Sequence, residues 1–240
     1  MDRKLVFGLL WICILAPVAL FSQSLNRFYQ NGKVGYRSSD QSVLVPASFD
    51  AGSEFNEGYA LVIRDGKRGF MNSTGTLVVD LIYDDASVFA NGLAAVSLNG
   101  KWGYIDSQGK TVIPFSYDLA FPFQEGFACV KKNNLYGYVN QQGVEVIPLR
   151  YADARGFSEG LAAVKIEKWG FINTSGKTII ALQYDNALFF VDGKALVAEG
   201  SNRLVLSPKG KVLKTIAFKD PDANSPEEWK HDEREHDSDH

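Results

Sequence analysis

A block of about 34 residues recurs along most of this 240-residue chain, and no other feature restricts its fold as tightly. Gly35, Gly69, Gly103, Gly137 and Gly170 follow one another at intervals of 34, 34, 34 and 33 residues. A second column, Gly75, Gly109, Gly143, Gly176 and Gly210, is spaced by 34, 34, 33 and 34. A third, Gly58, Gly92, Gly126, Gly160 and Gly193, keeps nearly the same beat. Self-similarity at a short fixed period means stacked supersecondary units, each too small to bury its apolar face alone.

Within a unit the residues spell strands and turns. The first strand has Ala60, Ala94, Ala128, Ala162 or Ala195 at its second position and Val62, Val96, Val130, Val164 or Val197 at its fourth. Residues two apart share one face of a strand, so that face is small and then β-branched, as close packing on a neighbouring layer requires. A hairpin turn follows, such as Asp65-Gly66 or Asn99-Gly100, the strongest short-range signal for a two-residue connection. The second strand carries a glycine before an aromatic residue, as in Trp102-Gly103-Tyr104 and Trp169-Gly170-Phe171. A glycine inside a strand marks a bulge or a close approach, and an aromatic ring from a neighbouring strand or unit is the expected visitor. A second turn, Asn72 to Gly75 or Asp106 to Gly109, suits a type I turn closed by a left-handed glycine. The third strand runs into Pro46, Pro114 or Pro148, which belong at a strand end or a sheet edge. Then come an aromatic–acid pair, as in Tyr83-Asp84, and a lone Phe such as Phe89. We read the rings as plugs between units and the Asp as closing the connecting turn. No segment has helical periodicity.

These motifs resemble the WG (KWG) repeat family. Lys101-Trp102-Gly103-Tyr104-Ile105-Asp106 and Lys168-Trp169-Gly170-Phe171-Ile172-Asn173 carry the likeness, with trailing Gly-Lys-x-Val-Ile-Pro and Tyr-Asp-x-Ala elements. The resemblance covers roughly residues 25 to 219 and degrades at its ends, where Val34-Gly35 and Arg203-Leu204 replace the motif. Atypical outer units are what caps look like. The resemblance implies a bacterial all-β tandem array and no catalytic residues. The expected fold is about six three-stranded β-meander units, either open like a solenoid or closed like a propeller.

The ends have their own composition. Arg3 and Lys4 precede an apolar run from Leu5 to Phe21, followed by Ser22-Gln23-Ser24. That grammar predicts a secretory signal peptide over 1–22, with a retained membrane anchor as the alternative. Cleavage would leave residues 23–219 as the repeat domain, without stable membrane insertion, in the periplasm or at the cell surface. Residues 220–240 form an acidic segment of disordered composition: from Lys219 to His240 nine acidic residues face three basic ones. Net charge is −3, without a dense Lys/Arg patch, so nucleic acid is not an expected partner. Cys129 is the one cysteine beyond the apolar segment and stands where other units have Leu61, Ala95, Ala163 and Leu196; it reads as a filler of the core. All three histidines, His231, His236 and His240, lie in the tail, so no thiol–imidazole pair is expected.

Three features bear on function. The position before the strand glycine changes from Val34 to Arg68, Trp102, Tyr136, Trp169 and Arg203. A place that accepts both Trp and Arg is expected to be half-exposed, and Arg68, Trp102, Tyr136, Trp169 and Arg203 are the candidate binding residues. A ridge of Lys33, Lys67, Lys101, Lys168 and Arg203 reads as solvated hairpin tips or, alternatively, as a surface for a polyanion. The Asp column (Asp50, Asp84, Asp118 and Asp185) supplies about one carboxylate per unit. That is too few for a calcium loop and poorly placed for a glycosidase pair drawn from Asp84 and Asp118. The group Asp80, Asp84 and Asp85 is a weak metal candidate. No cofactor or metal is expected. The leading expectation is an exported, non-catalytic module that binds an envelope protein or polysaccharide. A self-assembling structural protein is the alternative, and a glycan-active enzyme is third.

Overall fold

The computed structural model describes residues 25–217. The expected signal segment 1–22 and acidic segment 220–240 lie outside the described residues. Those residues form an all-β array of six antiparallel sheets in tandem. The first sheet has three strands, Asn26–Gln30, Lys33–Arg37 and Val43–Phe49. Each later sheet has four. In the third these are Asp85–Ala86, Ala94–Leu98, Lys101–Ile105 and Thr111–Tyr117.

The two-residue lead-in strand adds a fourth strand to the expected three-stranded meander in five of the six described sheets. It falls on the Tyr-Asp-x-Ala element, which the sequence reading gave to a connector because two residues show no alternation. A single residue separates each third strand from the next sheet: Asp50, Asp84, Asp118, Ala152 or Asp185. Its N–H already donates to the following sheet, as Asp118 does to the Lys131 carbonyl at 2.8 Å. The chain thus passes from sheet to sheet without a loop, which is how so short a period suffices.

Packing follows from alternation along the strands. The Ala-x-Val side of each first strand turns back onto the preceding sheet, and the opposite side turns forward. Five buried clusters result, one at each junction. Between the third and fourth sheets, Leu93, Ala95, Tyr104 and Ile113 meet Ala120, Phe123, Ala128, Val130 and Val139. Fully burying an aliphatic or aromatic side chain contributes about 1.5–3 kcal/mol. Aromatic pairs 19 residues apart plug the junctions, with centroids at 4.9 Å for Tyr104–Phe123 and 4.7 Å for Phe70–Phe89. The buried hydroxyls of Tyr36, Tyr104 and Tyr138 donate to the carbonyls of Ser53, Phe121 and Arg155 at 2.9, 2.8 and 2.6 Å.

The glycine before each plug ring has a different neighbour from the one expected. A Cβ at Gly103 would lie 2.6 Å from the Ile113 carbonyl oxygen and 3.0 Å from the Phe115 nitrogen. Trp102 pairs with Tyr117 and Tyr104 with Ile113, so the third strand bulges over the glycine. The backbone of the unit's own third strand occupies the space, and at Gly35 the Phe28 ring of the adjacent strand also approaches, to 2.8 Å from such a Cβ. Leu204 takes this place in the sixth sheet, where Arg203 pairs with Ile216 and Val205 with Lys214 without the bulge.

Among the described residues no strand pairing joins the first sheet to the sixth, and the array is open. Its two outer faces depart from the internal pattern. At the start, Asn26, Phe28 and Arg37 stand where Ala60, Val62 and Met71 are buried, and the Arg37 guanidinium lies 5.5 Å above the Phe28 ring. At the end, exposed Lys194 and Lys214 stand where Leu161 and Ile180 are buried. Among the described residues no helix is long and apolar enough to cross a membrane.

Candidate functional site

The candidate column lies on the forward side of the second strands, beside a ring from the third. Val34 pairs with Phe49, Arg68 with Tyr83, Trp102 with Tyr117, Tyr136 with Tyr151 and Trp169 with Tyr184. Arg68, Trp102, Tyr136 and Arg203 are half-buried, as expected for a position shared by Trp and Arg. Trp169 is not: it is 5% exposed, sits inside the last junction cluster and has the Arg155 guanidinium 5.1 Å above its ring. Arg155 is the one cation at this place in the five connections from lead-in strand to first strand, where Ser53, Ser87, Phe121 and Leu188 stand elsewhere. Its Nε is anchored on the Ala187 carbonyl at 2.8 Å.

The half-buried members differ in how far neighbours occupy them. Arg68 brackets two units, donating to the Gly66 and Asp84 carbonyls at 3.1 and 2.7 Å and lying 3.5 Å from the Asp85 carboxylate. Tyr136 has Lys131 Nζ 5.1 Å from its centroid. Its hydroxyl is pushed above the ordinary tyrosine value, first by burial and then by the charge of Asp153. Trp102 packs its inner edge on the third junction cluster beside half-buried Tyr117. Among the described residues no cation lies over the Trp102 ring. Trp102 and Tyr117, paired across their strands, and Tyr136, one unit on, are the half-buried aromatic residues of this column and its ring partners.

The Lys ridge and the Asp column are one construction. Lys67 Nζ meets Asp84 at 2.5 Å and Lys101 meets Asp118 at 2.6 Å; Lys33–Asp50 and Lys168–Asp185 repeat the pair. The second oxygen of each carboxylate accepts a hairpin-turn amide of the next sheet, from Asp65, Asn99, Asn133 and Gly200, each at 2.7 Å. These two donors, the lysine first, hold the four carboxyls below the usual aspartate value. The Asp closes the junction to the following unit, a longer reach than the connecting turn assigned from sequence. Arg203 belongs to the Arg68–Trp102 column, and Asn202 takes the ridge position in the sixth sheet. Of the acidic group, Asp84 is held by Lys67 and Asp85 lies against Arg68. Among the described residues no three His, Cys, Asp or Glu side chains converge as a metal site would need.

A second inter-unit link was missed in the sequence. The tight turns Glu57-Gly58, Asn91-Gly92, Glu125-Gly126, Glu159-Gly160 and Asp192-Gly193 all have positive φ at both residues. Glu57 accepts the amides of Asn91 and Gly92 at 2.8 Å, and Glu125 those of Glu159 and Gly160 at 2.7 and 2.9 Å. A left-handed conformation costs a non-glycine residue about 1–2 kcal/mol. The carboxylates that recur before the third glycine column were the available signal.

The fold and these junctions define a class: an open all-β repeat array whose units are clasped by side-chain-to-backbone bonds. The WG-containing-repeat family matches residues 35–67, 69–102, 102–136, 136–168 and 169–202, and the chain belongs to that family. No curated protein sequence matches it. Among solved structures it is similar to a eukaryotic initiation factor, with TM-score 0.54 and 12% identity over 80% of this chain, and it spans 62% of that one. It is also similar to Hsv2 of Kluyveromyces lactis with loop 6CD replaced by a Gly-Ser linker, with TM-score 0.52, 8% identity and coverage of 85% and 81%. At such identities the likeness concerns the fold alone.

Proposed function

We propose that this chain is an exported, non-catalytic binding module that reads an envelope protein or polysaccharide through Trp102, Tyr117 and Tyr136. One observation carries the reading: at a single structural position the side chain runs Val34, Arg68, Trp102, Tyr136, Trp169, Arg203, while its ring partners stay Phe or Tyr in five sheets. Half-buried aromatic residues give large contact area at small entropic cost, and Trp and Tyr are the usual anchors of recognition surfaces. The basic, apolar and then polar order of residues 3–24 supports export.

Two other readings have less support. Asp84 and Asp118 are each committed to a lysine and a backbone amide, so neither is positioned as a free acid or base. Head-to-tail assembly through unit faces is opposed by Asn26 and Arg37 at one end and Lys194 and Lys214 at the other. The test is capture of envelope proteins and of a glycan array by the intact chain against Trp102→Ala and Tyr136→Ala, with circular dichroism as a check of fold. At least one partner should be lost by about ten-fold, the scale of 1.4 kcal/mol. Equal recovery of every partner by folded variants would overturn the assignment.

A further inference from the structure

Segments 25–57, 58–91, 92–125, 126–159 and 160–192 each stay within one charge of neutral. The sixth unit does not: Lys194, Arg203, Lys209, Lys211 and Lys214 face Glu199 alone over residues 193–217, a balance of +4. Three of these cations share one surface. Lys194, Leu196, Arg203, Val205, Lys214 and Ile216 occupy the forward positions of the sixth sheet, which in the fifth are filled by Leu161, Ala163, Trp169, Phe171, Ile180 and Tyr184 and are covered by the sixth. The last forward face is therefore a mixed aliphatic and cationic surface that no sheet among the described residues covers. Ile216 is 38% exposed, against 3% for Tyr184. Among the described residues no carboxylate pairs with Lys194 or Lys214, in contrast to the ridge lysines.

The chain that continues from this sheet is of opposite sign. Residues 219–240 carry nine acidic and three basic side chains, −6, and begin three residues beyond Ile216. We propose that the forward face of the sixth sheet is the docking surface for this acidic C-terminal segment of the same chain. Tethering of this kind sets an effective concentration in the mM range, so weak, salt-sensitive attraction between the segment and the face is enough to hold it. Docking covers the open end of the array and cancels most of its local charge.

Zero-length carbodiimide coupling of the full chain, followed by peptide mapping, tests this, because the reagent joins only amines and carboxylates in contact. Lys194 and Lys214 should account for most links to residues 220–239 in the monomer, with yield falling several-fold between 20 and 500 mM salt, a range that shortens the screening length to a few ångströms. Lys194→Glu/Lys214→Glu should abolish those links and leave circular dichroism unchanged. Tail links spread evenly over Lys33, Lys67, Lys101 and Lys132, or absent altogether, would overturn the proposal. So would links found only between isotopically distinct copies of the chain, which would make a second molecule the occupant. If the double variant fails to fold, the salt dependence and link distribution of the unmutated chain decide alone.

Discussion

Leu135 and Ala152 fill, one repeat further along, the two places at which Lys101 and Asp118 form an ion pair of 2.6 Å. Both halves of the pair are missing from the same unit. The third part is missing as well: the hairpin that would offer its amide, 166–168, is one residue shorter than its equivalents, with Lys165 paired to Trp169 across a three-residue loop. Its Ile166 amide makes a long 3.4 Å bond to the Lys168 carbonyl. The junction between the fourth and fifth sheets is thus closed by its buried cluster and its Glu125 turn link, without the clasp used at the other four.

Amide exchange should report that gap directly. The amides of Asp65, Asn99, Asn133 and Gly200 each donate to an Asp oxygen and should be protected, whereas Glu167, without such an acceptor, should exchange at nearly the free rate. Asp118→Ala should accelerate Asn133 several-fold and leave Asp65 unchanged. Equal protection of Glu167 and Asn133 by hydrogen-exchange NMR would refute the clasp.

The clasps also set a pH dependence. Lysine and amide donors hold Asp50, Asp84, Asp118 and Asp185 below their ordinary value of 3.8. Their contribution is full above about pH 4 and is lost as pH falls through the lowered folded-state values. Urea midpoints should therefore be flat from pH 7 to about 5 and drop below 4. The drop should be smaller in Asp84→Asn/Asp118→Asn and shrink in high salt, since these carboxylates face solvent.

Gly103→Ala should be strongly destabilising, by about 3 kcal/mol in chemical denaturation. The added methyl meets backbone at 2.6 Å rather than a side chain able to turn aside. Gly103→Ala at unchanged stability would mean that the bulge relaxes to the regular pairing that Leu204 adopts in the sixth sheet.

Cys129 is 2% exposed and its thiol is raised well above its ordinary value, first by burial and then by the charge of Asp153. It should resist thiol reagents at pH 8 until the chain unfolds. Cys129→Ala should cost no more than about 1 kcal/mol, because Ala95 and Ala163 are buried at the same place in two other units. Rapid labelling of the folded chain would show that the fourth junction opens.

Much of the fold is legible because local rules repeat. Asn99-Gly100 demands a tight hairpin, and the φ values of 52° and 74° found there are those of its left-handed pair. Ala94 and Val96 spell one face of a strand, and that face is buried. What the residues do not spell lies across units. The bulge over Gly103 comes from the path of a strand eight or more residues away. The lead-in strands are too short to alternate. The link from Glu57 to Asn91 and Gly92 joins positions a full period apart, so only stacking brings them together. Trp102 and Trp169 look equivalent as sequence, yet Arg155 covers one and leaves the other open.

By itself the sequence determined the period, the strand and turn alphabet and the family, because hydrophobic alternation and turn chemistry are properties of neighbouring residues. Only the tertiary structure decided that the array is open, which Lys and Asp pair, and which of the variable aromatics remain accessible. Those outcomes depend on contacts between residues 15 to 35 positions apart, where geometry rather than local preference selects the partner.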